Sequence, residues 1–246
     1  MPTDTSVSAE PAPAPSPLRV TVTRSDPVAR ATFDVARYEP MMVLDALVAI
    51  QREQEPTLGF RYSCRVGMCG TCTVRLDGRP VLACQTRLEP TMQEIRLDPL
   101  AGLPVVRDLI VDTTPFFAEW ARVKPYLVPQ PGLSEPARIE PDAEERRIID
   151  PALDCITCGA CYAGCGIAGY RRDFLGPAAL NRAMVLIADS RDAERGQRLR
   201  AVTGDDGVWR CHYIHSCTAV CPKGLDPAGA IRRLRRWRLE GVDDRE

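Results

Sequence analysis

Cysteine is the residue type whose spacing first suggests chemistry in this chain. Eleven cysteines fall into three tight groups: Cys64, Cys69, Cys72 and Cys84; then Cys155, Cys158, Cys161 and Cys165; then Cys211, Cys217 and Cys221. Disulfides are disfavoured in a reducing cytosol, and an odd count would leave one thiol over. Thiols held a few residues apart are what a soft-metal or iron–sulfur site needs. The stretch SCRVGMCGTC, with AC after a hairpin, gives C-x4-C-x2-C-x11-C. Its first three ligands agree with the plant-type [2Fe–2S] spacing. A zinc site, the competing reading, usually takes paired C-x2-C knuckles, and only one such pair stands here.

The second run, CITCGACYAGC, is C-x2-C-x2-C-x3-C. In two-cluster ferredoxins the fourth cysteine of such a run ligates the other cluster. By that rule Cys155, Cys158 and Cys161 take Cys221 and form a [4Fe–4S] site. Cys165 then joins Cys211 and Cys217. The third run, CHYIHSCTAVCP, keeps the same frame, but Ile214 occupies one ligand position and cannot bind a metal. Three thiolates suit a [3Fe–4S] cluster, with an apolar Ile214 at the vacant corner discouraging a fourth iron. The alternative is a complete cube whose last iron takes His212, His215 or water; either histidine can also be a plain surface or packing residue. Gly164–Gly169 matches G-x-G-x-x-G, but that fingerprint needs a preceding strand and a βαβ unit, and here it overlaps a ligand run.

The elements that must position these thiols are readable in outline. Leu18–Arg24 alternates apolar and polar residues as a half-buried strand does, and Ala31–Tyr38 is its expected hairpin partner across Ser25, Asp26 and Pro27. Pro40 precedes MMVLDALVAIQREQ, apolar at helical spacing. Asp77-Gly78 marks a two-residue hairpin turn between Thr71–Leu76 and Arg79–Cys84. Glu94–Leu97 is a further short strand. Strands over one helix suggest a small β-grasp sheet. Arg107–Val123 reads as helix, broken near Pro115. Five prolines, at 125, 129, 131, 136 and 141, give linker composition. Beyond them the pattern is helical: Pro177 opens one helix, and Asp226-Pro227 supplies an N-cap and N1 proline for another. The second half therefore reads as all-α, with cysteine loops between helices.

Bulk properties narrow the function classes. A net charge of −1 gives no general field for polyanions, and no DNA-reading motif accompanies the arginine-rich last helix, so a nucleic-acid-binding regulator is disfavoured. No apolar run reaches the length of a membrane span. The start, MPTDTSVSAEPAPAPSPLR, lacks a charged leader followed by an apolar stretch, so residues 1–17 read as a disordered tail on a cytosolic chain.

SCRVGMCGTC, GRPVLACQT, CITCGACYAGC, FLGPAAL, DSRD and VWRCHYIHSCTAVCPKGLDP resemble, in this order, the iron–sulfur subunit of succinate dehydrogenase and fumarate reductase. The likeness runs from Leu18 to Leu239. It implies an α+β architecture: an N-terminal β-grasp, plant-type ferredoxin-like [2Fe–2S] domain (18–115) and a C-terminal all-α dicluster ferredoxin-like domain (116–246) with [4Fe–4S] and [3Fe–4S] clusters. It implies an FAD-carrying flavoprotein partner that holds the dicarboxylate site, membrane anchor subunits that can carry haem b, and a membrane quinone, the chain lying peripherally on the cytoplasmic face of the inner (cell) membrane. Electrons would pass from FAD through the three clusters to quinone. The reverse direction, fumarate reduction, is an alternative: RCH and CPKGL look dehydrogenase-like, CGACYAGC and GVW reductase-like. The cluster subunit of another flavin oxidoreductase is a further one. His212 matches the family's histidine near quinone, and Tyr170 stands where dehydrogenases often place a quinone-binding tryptophan. Gly166 departs from the usual proline. The arginines at 232, 233, 235, 236 and 238 read either as a face toward anionic lipid or as a solvated helix face.

Overall fold

A computed structural model describes residues 16–25, 28–132 and 138–242. Most of the expected tail, Asp26 and Pro27 of the first turn, and Pro136 of the linker lie outside the described residues. The first half is a five-stranded sheet in the order β2-β1-β5-β3-β4, built from β1 (Leu18–Ser25), β2 (Val28–Val35), β3 (Thr73–Leu76), β4 (Arg79–Leu82) and β5 (Glu94–Asp98). The central pair β1–β5 is parallel and the other pairs are antiparallel. Leu18, Val20 and Val22 of β1 point inward, while Thr21 and Thr23 point away, the alternation a one-sided sheet requires. Helix α1 (Val43–Glu53) lays Val43, Leu44, Leu47 and Ile50 on that inner face.

Local turn chemistry fixes the β3–β4 hairpin. Asp77 and Gly78 both take positive φ, 49° and 85°, as the favoured two-residue turn demands, and Asp77 also accepts from the Arg96 amide at 2.8 Å. The helix expected over Arg107–Val123 begins later. A small hairpin, β6 (Val105–Arg107) and β7 (Ile110–Val111), takes its first part, and α2 runs over Thr114–Arg122. The cause is Asp108, buried at the hairpin turn with φ 48°. Its carboxylate accepts from the Ser25 amide at 2.9 Å, the Gly59 amide at 2.8 Å and Arg24 Nε at 3.1 Å, and its amide donates to Ser25 Oγ. Those bonds tie the turn to the end of β1 and hold it out of a helix.

The second half is helical around α5 (Gly176–Ala188), buried over nearly its whole length. Helices α2, α3 (Glu144–Leu153), α6 (Arg195–Val202) and α8 (Pro227–Leu239) pack on it or on one another, and two short helices, α4 (Ala160–Ala163) and α7 (Ser216–Ala219), carry cysteine loops. Arg198 and Asp192, both buried, form an ion pair at 3.0 Å. Arg198 also donates to Val123 O at 3.0 Å and Tyr126 O at 2.7 Å, which clamps the start of the proline-rich linker. Two cores result, and they touch. Ile156 and Cys158 pack against the first core, and Arg79 of the β3–β4 hairpin donates to Ala219 O of α7 at 2.7 Å. Among the described residues, no helix is long and apolar enough to cross a membrane.

Candidate metal centres

All eleven cysteines are free. The first group sits on the loop between α1 and β3, with Cys84 returned by the β3–β4 hairpin. Arg65, Gly67 and Gly70 take positive φ, which coils this loop so that amides turn toward sulfur. The Cys64 sulfur accepts from the amides of Met68 at 3.3 Å and Cys69 at 3.4 Å. The Gln85 side-chain amide lies 3.8 Å from the Cys84 sulfur. Hydrogen bonds from the Thr71 hydroxyl, then from the amides of the loop, draw the Cys69 thiol down to about 6. Burial, with Cys84 and Cys69 alongside, pushes Cys72 up to about 12. The four thiols are thus neighbours, and backbone N–H groups are already oriented to stabilise charge on them.

The second and third groups line two separate cavities. Cys155, Cys158, Cys161 and Cys221 face one cavity, whose remaining wall is largely apolar and includes Ile156, Ala178 and Leu225. Burial pushes the thiols of Cys155, Cys158 and Cys161 up. Cys165, Cys211 and Cys217 face another cavity, with His212, Ile214 and His215 on its wall. Burial, reinforced by Cys165, pushes Cys217 up to about 11. The Tyr213 amide donates to the Cys211 sulfur at 3.4 Å. Tyr213 and His215 take positive φ on either side of Ile214, so the chain turns sharply there and Ile214 is 67% exposed at the cavity mouth. Among the described residues, the wall of this cavity does not include Tyr170, which is 89% exposed. The G-x-G-x-x-G look-alike runs from the end of α4 into turns, with no strand before it.

These residues fit iron–sulfur clusters. Among the described residues, no three His, Cys, Asp or Glu side chains could hold one metal ion. A cluster does not ask for that, because each thiolate bonds its own iron and the sulfurs must spread around a cavity. Apolar walls and amides directed at sulfur are the surroundings that set cluster potential.

The sequence pattern missed one residue at this end of the molecule. Arg235, one of five arginines spaced along α8, does not share the exposure of Arg232, Arg236 and Arg238. Its guanidinium lies 4.5 Å from the Tyr213 ring centroid and 5.1 Å from that of Trp209. It donates to Cys211 O at 2.6 Å and Val208 O at 2.9 Å, bracing the strand of chain that presents Cys211.

A model of the 2Fe-2S iron-sulfur cluster binding domain matches residues 19–118, and a model of the 4Fe-4S dicluster domain matches residues 151–225. The succinate dehydrogenase iron-sulfur subunit of Coxiella burnetii is 39% identical over 214 residues, 87% of this chain and 90% of that protein. The fumarate reductase iron-sulfur subunit of Haemophilus influenzae is 36% identical over 214 residues, 82% of this chain and 84% of its own length. Among solved structures, a chain of the Mycobacterium smegmatis Sdh1 complex in the apo form superposes with a TM-score of 0.82 at 26% identity, covering 95% of this chain and 98% of that one.

Proposed function

The chain belongs to the family of succinate dehydrogenase and fumarate reductase iron–sulfur subunits, and from that premise we propose that it carries electrons between a flavoprotein partner and membrane quinone. Its halves are a 2Fe-2S ferredoxin-like domain with a sheet and a helical 4Fe-4S dicluster domain, and it is one subunit of an oxidoreductase complex. Cys64, Cys69, Cys72 and Cys84 would hold a [2Fe–2S] cluster. Cys155, Cys158, Cys161 and Cys221 would hold [4Fe–4S], and Cys165, Cys211 and Cys217 would hold [3Fe–4S]. When bound, the clusters supply one-electron carriers in series, which join a two-electron flavin to a quinone that accepts electrons singly.

The observation that carries this reading is the crossing of the two runs. Cys221 of the third run shares a cavity with Cys155, Cys158 and Cys161, while Cys165 of the second run shares the other with Cys211 and Cys217. The protein's own work is then to orient and to exclude. Amides of Met68, Cys69 and Tyr213 stabilise thiolate charge. Apolar side chains make up most of the wall of the second site. Ile214 stands on the wall of the three-thiol cavity where the frame wants a ligand. His212, exposed on the same wall, is suited to exchange a hydrogen bond or proton with quinone. Tyr170 could meet quinone only from the outer surface, through a partner's wall.

The remaining parts of the reading follow the family: FAD on the flavoprotein, anchor subunits with or without haem b, and a peripheral position on the cytoplasmic face of the membrane. Fumarate reduction is the second reading, favoured by the Haemophilus relative. Assaying the purified complex with succinate and quinone, and with quinol and fumarate, decides the direction. Loss of both activities when the iron–sulfur chain is omitted, with dye-linked flavin turnover retained, is the expected result. Undiminished quinone reduction without this chain would overturn the proposal.

A further inference from the structure

Thr73 follows the third thiol of the first group and opens β3, with its residue 7% exposed. Its hydroxyl lies 2.6 Å from Gly70 O, and its amide also donates to that carbonyl, at 3.3 Å. Gly70 is where the first loop meets the second site. A Cβ on it would stand 2.6 Å from Cys158 Cβ and 2.8 Å from Cys158 Cα. Gly70, Thr73 and Cys158 line one cavity at the junction of the two halves. A hydrogen bond from the Thr73 side chain holds the Cys158 thiol lower than burial alone would.

The hydroxyl has one hydrogen and two acceptors, the Gly70 carbonyl and the Cys158 sulfur. The carbonyl keeps the Thr73 amide in either case. A thiolate bound to iron carries the greater negative charge, and a charge-assisted hydrogen bond is the stronger one. Loading the second site therefore turns the hydroxyl toward sulfur.

We propose that Thr73 is a positioning residue that reaches from the [2Fe–2S] loop into the neighbouring site, donates to the Cys158 sulfur, and raises the reduction potential of the [4Fe–4S] cluster there. The inference rests on the ligand sets given under Proposed function. A hydrogen bond to a ligand sulfur offsets the charge gained on reduction, so its loss favours the oxidised state. The first domain thus sets the electron affinity of the cluster that receives its electrons.

The test uses the assembled complex with Thr73→Val and Thr73→Ser, titrated potentiometrically and read by low-temperature EPR. In Thr73→Val the equilibrium constant for reducing the four-iron cluster falls about tenfold, a shift of ~59 mV for one electron, toward negative potential. Thr73→Ser keeps the wild-type potential, and the three-iron signal titrates unchanged in both. Thr73→Ala serves the same comparison where valine crowds the junction. An unchanged four-iron potential in the valine and alanine variants, or an equal fall in the serine variant, overturns the inference. So does a shift confined to the two-iron signal, which would make Thr73 a brace for Gly70 alone. A wild-type complex without any four-iron signal would instead remove the ligand assignment beneath it.

Discussion

Replacing Gly70 with alanine tests the contact between the two halves. Two costs arise. The first is conformational: Gly70 has φ 69°, and an L-residue in the left-handed region costs roughly 1–2 kcal/mol. The second is steric. The new methyl would lie 2.6 and 2.8 Å from Cys158 Cβ and Cα and 3.2 Å from Ile156 O, where carbon atoms prefer about 3.5–4.0 Å. The loop must withdraw by about 1 Å, and overpacking of this kind costs roughly 1–3 kcal/mol. Together the loss is roughly 2–5 kcal/mol. Gly78→Ala is the internal control. Gly78 has φ 85°, but a methyl added there would meet nothing within 4 Å, so only the conformational cost, ~1–2 kcal/mol, applies. Bound clusters make unfolding irreversible, so the readout is the rate of cluster loss at fixed temperature, followed by visible absorbance. If the steric excess acts in full on that barrier, Gly70→Ala loses colour faster than Gly78→Ala by roughly one to two powers of ten. Electron transfer from the two-iron to the four-iron site, measured by rapid freeze-quench, slows in Gly70→Ala and not in Gly78→Ala. Equal rates of colour loss in the two variants would refute the contact and the path drawn through it.

Three further predictions address single residues. Ile214→Cys restores a fourth thiol to the cavity of Cys165, Cys211 and Cys217; the oxidised three-iron EPR signal is replaced by that of a four-iron cluster at lower potential, and an unchanged signal denies Ile214 its role. His212→Ala lowers quinone reduction more than dye reduction fed from the flavin, whereas equal losses would make His212 structural. Burial pushes the Asp226 carboxyl up, but bonds from the Thr218 hydroxyl and the Gly229 amide, with His215 and Arg232 nearby, outweigh it and hold the carboxyl below its usual range. A depressed pKa means that the charged cap stabilises α8 fully above about pH 4 and less as pH falls through the folded value. Asp226→Ala should cost about 1 kcal/mol near neutral pH. The difference in thermal midpoint between wild type and Asp226→Asn should shrink on acidification, and a difference that is flat with pH would contradict the charged cap.

What the sequence revealed was mostly local. Asp77-Gly78 specified its hairpin because the turn needs two adjacent residues at positive φ, and Asp226-Pro227 specified the start of α8 because a cap and an N1 proline act within one turn. The cysteine spacing suggested which thiols share a site, and the structure places Cys155, Cys158, Cys161 and Cys221 on one cavity and Cys165, Cys211 and Cys217 on another. The 105–111 hairpin was illegible because it depends on Asp108 meeting Arg24, Ser25 and Gly59, all far away in sequence. Arg235 looked like its neighbours in a basic row; only the packing of α8 against residues 208–211 directs it inward. Thr73 carries no motif at all. Its position matters because Gly70 lets the first loop approach Cys158, a contact between residues 88 apart in the chain.

The division of eleven thiols into four, four and three is tested most directly on the anaerobically purified complex, by iron and inorganic sulfide analysis of this chain combined with EPR of the oxidised and reduced states. About nine irons and about ten sulfides per chain are expected, with about one spin per chain from a three-iron cluster in the oxidised sample and two-iron and four-iron signals on reduction. A colourless chain without sulfide, a zinc content matching the thiol groups, or an oxidised sample with no three-iron signal would contradict it.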